Sequence, residues 1–131
     1  MEFALLIYED ESRFSQGYDP QELAEYRAFG QQFSHALKGG KALQPTRTAA
    51  TVRVRDGKAV TTDGPFAETK EHLAGYYIMN CEDLDGAIEW ASKIPTQCSG
   101  GDGCIEIRPI RGLPAGPDAG VDRANTPRVN V

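Results

Sequence analysis

The chain has 131 residues, a formal net charge of −5 and 40% hydrophobic residues, which suits one domain with one modest core. The acidic balance weighs against non-specific nucleic-acid binding, and no stretch approaches the roughly 20 apolar residues of a membrane span. The first residues carry neither a basic start nor a long apolar run, so no secretory signal and no membrane anchor are expected, and a cytoplasmic setting is.

Phe3-Ala4-Leu5-Leu6-Ile7-Tyr8 reads as a strand that is apolar in both alternating sets, which predicts cover on both faces. Helices cover one face of a two-layer domain, so the other face predicts a homodimer. Asp19 followed by Pro20 and Glu22 starts a helix: Asp19 caps it, Pro20 takes the first helical position and Glu22 completes a capping box. Leu23, Tyr26, Phe33 and Leu37 recur at helical spacing, and Gly39-Gly40 is the expected stop. His35 falls about 200° around from Phe33 and is expected in solvent.

Residues 48–55 and 58–62 read as a hairpin, because Asp56-Gly57 between them is a strong two-residue turn signal. Val52 and Val54 point one way, Arg53 and Arg55 the other. The run Asp63-Gly64-Pro65-Phe66-Ala67-Glu68-Thr69-Lys70-Glu71 follows. Pro65 restricts Gly64, Gly64 tolerates conformations closed to other residues, and Asp63 is placed to accept from the backbone after it. Gly64, Pro65 and Phe66 are therefore a structural turn. Its charged flank is either a solvated surface or part of a site with Asp63 and Glu68 as general-base candidates; that role would need a carboxylate pKa raised by burial.

Residues 75–81 form a further strand, and a second helix starts at Asp83, with Leu84, Ala87, Ile88, Ala91 and Ile94 as its apolar stripe and Pro95 as its stop. Trp90, at the edge of that stripe, is expected to pack rather than to stack on a ligand. Gly100 to Gly103 precedes a strand, unlike a dinucleotide-binding glycine motif. Cys81 reads as a small buried hydrophobe. A Cys98–Cys104 disulfide is sterically possible but not expected in a reducing cytosol, and neither histidine lies near enough in sequence to suggest a zinc site. Residues 104–108 are the last strand, and residues 112–131 lack periodicity and form a Gly/Pro-rich tail whose expected resting place is the partner subunit.

In the last strand Ile105 and Ile107 share one face, Glu106 and Arg108 the other. If the valines and isoleucines meet the helices, Arg53, Arg55, Glu106 and Arg108 occupy the open face. Two readings stand. These residues, with Lys70, line a polar cleft for a small anion, since arginine forks suit carboxylates and phosphates; or they form a salt-bridged cross-strand ladder.

Several of these stretches resemble the YCII-related family, specifically its DGPF branch: Leu5-Leu6-Ile7-Tyr8, Thr51-Val52-Arg53-Val54-Arg55-Asp56-Gly57-Lys58, the Asp63-Gly64-Pro65-Phe66 run, and Ile105-Glu106-Ile107-Arg108-Pro109. The resemblance covers roughly the first 110 residues. It implies an α+β fold of the ferredoxin-like kind, an antiparallel sheet with two helices on one face, dimerising through its sheets as a dimeric α+β barrel. It also implies an association of some members with extracytoplasmic-function sigma factors. Relatives in the wider family suggest catalysis by a histidine on the first helix and an aspartate after the second. Here the corresponding regions read Ala28-Phe29 and Ile94-Pro95-Thr96, so that dyad does not carry over. The expectation is one domain over residues 1–111 with a tail over 112–131, a homodimer with no cofactor or metal. Its function is to hold a small anionic ligand in the cleft or, in a different class, to act as an interaction module in a sigma-factor system.

Overall fold

A computed structural model describes residues 1–14, 19–65, 71–95 and 103–113. The first strand, β1 (Glu2–Glu9), sets the layering by strict alternation: Phe3, Leu5, Ile7 and Glu9 are buried on one side, while Ala4, Leu6 and Tyr8 are half-buried on the other. Helix α1 (Pro20–Gln32) starts as its residues dictate, with the Gln21 N–H donating to the Asp19 carboxylate at 3.0 Å. Its inner face carries Tyr26 and Phe29, followed by Phe33 at the cap, with the Phe29 and Phe33 rings 4.8 Å apart.

The helix stops seven residues before the expected glycine pair. A turn brings the Ala36 and Leu37 N–H groups onto the Phe33 carbonyl, and Leu37–Ala42 becomes strand β2. The hairpin then follows as β3 (Ala50–Arg55) and β4 (Lys58–Asp63). Asp56 and Gly57 both hold positive φ, 52° and 75°, the geometry that an Asp-Gly hairpin turn requires. Strand β5 (His72–Asn80), helix α2 (Leu84–Ala91) and strand β6 (Cys104–Pro109) complete the described elements. The Gly86 N–H donates to the Asp83 carboxylate at 2.8 Å, so the second cap is also where the sequence puts it.

The main sheet runs β2-β5-β1-β6 with antiparallel neighbours. With the hairpin set aside, the order β-α-β-β-α-β and this strand arrangement are those of a ferredoxin-like α+β fold. One core joins Phe3, Leu5, Ile7 and Met79 of the sheet to Phe29 and Phe33 of the first helix and to Ala87, Ala91 and Ile94 of the second helical region. Both helices therefore cover the same face. Trp90 packs on Phe33 at 5.1 Å, Cys81 is buried, and His35 is exposed with its ring 5.8 Å from Trp90 in a T-shaped arrangement. The α2 stripe is narrower than its spacing suggests: Ala87 and Ala91 are buried, but Leu84 and Ile88 are about half exposed. No helix among the described residues is long and apolar enough to cross a membrane.

Two sequence expectations are corrected here. Residues 37–42 are an edge strand, not the end of a helix, because β5 offers a free edge to them. And β3–β4 forms its own two-stranded sheet, so Arg53 and Arg55 do not share a sheet face with Glu106 and Arg108. Val52 and Val54, expected against the helices, are 60% and 72% exposed.

Candidate functional site

A cavity of about 500 Å³ opens where the last residues of β1 and β2, the first half of β5 and the first turns of α1 meet. That volume is in the range of small-molecule sites. Its walls are mainly apolar, with Ile7, Leu23, Tyr26, Leu43, Pro45 and Tyr77 among them, and three carboxylates enter it: Glu9, Glu11 and Glu22. Glu9 is 2% exposed and Glu22 8%.

Local structure explains each placement. Glu9 continues the inward set Phe3, Leu5, Ile7 by one more step of two, and Glu22 heads the helical phase that Tyr26, Phe29 and Phe33 continue toward the core. Glu22, expected to complete a capping box, thus faces the cavity. Glu11 sits in a 3-10 turn (Glu11–Phe14) and ties the far wall: its carboxylate accepts from the Thr46 N–H at 2.6 Å and the Thr46 hydroxyl at 2.8 Å. A bulge in β5 between the partners of Ile7 and Tyr8 shifts the register, which sets His72 opposite Glu9. His72 Nδ1 lies 3.7 Å from the Glu11 carboxylate. Such bulges re-aim side chains and are frequent beside functional sites. Burial raises the Tyr77 phenol above its usual 10.0, so that wall stays neutral and able to donate.

The residues singled out from sequence lie elsewhere. Asp63 ends β4 and is exposed, without the burial that a general base there would call for. Gly64 holds φ +98°, its N–H donates to the Ala49 carbonyl at 2.7 Å, and its carbonyl accepts from the Thr51 hydroxyl at 2.9 Å. With that N–H committed and Pro65 having none, the first two positions after Asp63 offer its carboxylate no donor. Gly64 and Pro65 are half-buried in this corner; Phe66, Glu68 and Lys70 lie outside the described residues, as do Cys98 and most of the tail. Arg53 and Arg55 are exposed on the hairpin. On the open side of the main sheet Arg108 Nε pairs with Glu106 at 3.0 Å, and the Tyr8 hydroxyl donates to the other Glu106 oxygen at 3.2 Å. Partial burial, and after it the Glu106 charge, push the Tyr8 phenol upward. The Cys104 thiol donates to Glu71 at 3.4 Å, and desolvation followed by that carboxylate raises its pKa. Among the described residues no group of three or more metal-ligating side chains converges.

Sequence reasoning missed the carboxylate cavity by searching for charge density in loops. The usable signal was different: a glutamate at an in-phase core position of a strand, and another at an in-phase core position of a helix.

The architecture defines a ferredoxin-like α+β protein with a cavity between α1 and the sheet. The chain belongs to the YCII-related family: the model of the YCII-related domain matches residues 1–114. It is 36% identical over 115 residues to an uncharacterized protein of Rhizobium meliloti (strain 1021), covering 84% of this chain and 92% of that one. Among solved structures it is similar to 5-chloro-2-hydroxyhydroquinone dehydrochlorinase (TftG) from Burkholderia phenoliruptrix AC1100, determined in complex with 2,5-dihydroxybenzoquinone. The TM-score is 0.50 at 13% identity, over 85% of this chain and 94% of that chain. At that identity the likeness is one of fold.

Proposed function

We propose that the chain is a small-molecule-binding protein whose site is the cavity beneath α1, and that it works as a dimer through the open face of its main sheet. The observation that carries the reading is Glu9: a carboxylate 2% exposed, in a cavity large enough for a ligand and otherwise lined mainly by apolar and aromatic side chains. Three acidic groups beside flat apolar walls suit a compact, ring-sized molecule bearing hydroxyl or amine donors. The similar fold of a dehydrochlorinase bound to a dihydroxylated ring is consistent with that class. This cavity is not the cleft expected for an anion, whose described residues Arg53, Arg55, Glu106 and Arg108 lie outside it; its own described lining has three carboxylates and one cation, Lys41.

The test is a thermal-shift screen of hydroxylated aromatic and amine ligands, followed by calorimetry on Glu9→Gln. A carboxylate hydrogen bond is worth about 1.5–3 kcal/mol, so a true ligand should bind Glu9→Gln roughly 10- to 150-fold more weakly. Ligands that bind Glu9→Gln, Glu22→Gln and wild type alike would overturn the cavity reading.

A second reading, a non-enzymatic partner-binding module such as one serving a sigma-factor system, is favoured by one observation. Arg53, Arg55 and Lys58 share one face of an exposed two-stranded ribbon, a flat basic surface rather than a closed cleft.

A further inference from the structure

The hairpin is the part of the chain with the least reason to stand alone. From Val52 to Asp63 every residue is exposed. The register puts Val52, Val54, Ala59 and Thr61 on one face of the ribbon, and with Met1 the two valines are the most exposed large apolar residues, Val54 the most of all. A two-stranded ribbon is marginal by itself in water and needs a third layer on its apolar face. An exposed apolar face of this kind marks an interaction surface.

The same chain has a second surface, apolar along β1 and bordered by Glu106 and Arg108 on β6, with no helix over it among the described residues. On the side of the main sheet away from α1 and α2, Ala4, Leu6, Tyr8 and Ile78 are half-buried and stand outside the core cluster. We infer that the valine face of the β3–β4 arm packs on this open sheet face of a second copy, and that the second copy returns its own arm in the same way. The inference rests on the reading that the chain dimerises through the open sheet face.

Three observations select a second copy as the occupant. The dimensions agree: six residues of strand span about 20 Å and four strands about 14 Å between outer axes, so one arm can lie across one sheet. The charges agree: Arg53, Arg55 and Lys58 lie on the opposite face of the arm, so none of them has to leave water when the valine face docks. The symmetry agrees: one arm and one open face per chain, related by a two-fold axis, cover both apolar surfaces and close the assembly without leaving a patch for a third copy. The Gly64–Ala49 and Thr51–Gly64 hydrogen bonds join the two strands of the arm at its root.

The test uses the full chain. Sedimentation velocity compares wild type with the double variant Val52→Asp/Val54→Asp, whose side chains are exposed and outside the core; circular dichroism checks that its fold is kept. The expected result is a dimeric wild type and a variant whose dimer dissociation constant rises roughly 100-fold or more. In a Cys98→Ser/Cys104→Ser background, mixing Val54→Cys with Leu6→Cys should give a disulfide joining the two different chains under mild oxidation. A dimeric wild type with an equally dimeric double variant overturns the arm but leaves sheet-to-sheet dimerisation standing. A disulfide confined to Val54→Cys with itself means arm-to-arm contact and also overturns it. A monomeric wild type overturns both readings, and protection of the arm in that monomer would point to residues 114–131 of the same chain as its cover.

Discussion

Gly64 and Gly30 show how the same residue type carries opposite consequences. Gly64 holds φ +98°, a region an L side chain enters only at a cost of about 1–3 kcal/mol, although nothing lies within 4 Å of its missing Cβ. Gly30 is inside α1 with open space around it and an ordinary helical backbone, where alanine gains about 0.5–1 kcal/mol over glycine. Gly64→Ala should therefore lower the melting temperature by roughly 4–12 °C and Gly30→Ala raise it by about 2–4 °C, taking about 4 °C per kcal/mol for a domain of this size. Differential scanning calorimetry on the two variants checks both signs, and a Gly64→Ala protein as stable as wild type would remove backbone strain from the account of the corner. At this same scale the sequence was readable at the corner and misleading at the site. Asp63 drew notice because it sits among turn residues, while Glu9 and Glu22 are ordinary glutamates whose importance comes from phase alone. Only their placement one step beyond Ile7 and one turn before Tyr26 marks them.

At the scale of elements, what was legible depended on whether the signal was local. The Asp56-Gly57 turn, the Asp19 and Asp83 caps, and the alternation of β1 and β6 are written in short stretches, and the structure has all of them. Strand β2 is not written that way: Leu-Lys-Gly-Gly-Lys-Ala is a poor strand by propensity and ends a helical pattern. It becomes a strand because β5 needs an edge partner, a tertiary effect that overrides local preference. The separation of the hairpin from the main sheet follows, since β2 fills the edge that β3 would otherwise occupy, and with it went the expectation that four charged residues share one face. The two glycines of β2 test this account. A Cβ on Gly40 would meet the Tyr76 carbonyl oxygen at 2.7 Å and the Tyr77 ring at 2.8 Å, whereas one on Gly39 meets nothing within 4 Å. Gly40→Ala should push β2 off β5 at a cost of about 1–3 kcal/mol, with faster amide exchange along β2, while Gly39→Ala should leave both stability and exchange close to wild type. Equal behaviour of the two variants would mean that close strand contact does not fix this edge.

At the scale of the whole molecule, the two faces of the main sheet carry separate tasks. The side of Phe3, Leu5, Ile7 and Glu9 meets the helices and holds the cavity; the side of Ala4, Leu6, Tyr8 and Ile78 has no helix over it among the described residues. Apolar alternation in both phases of β1 made this legible from sequence as a need for two layers of cover. A specific dimer buries more than about 1,000 Å² in total, so light scattering at micromolar concentration should give twice the 14.3 kDa chain mass. Leu6→Arg puts a charge in the middle of the open face, pointing away from the core, and should yield a folded monomer. Because Leu6 and Glu9 lie on opposite sides of the sheet, that monomer should still bind a cavity ligand, within a few-fold of wild type. Loss of dimer and ligand together would mean that the partner completes the cavity, and a Leu6→Arg protein that remains dimeric would remove the open face from the interface.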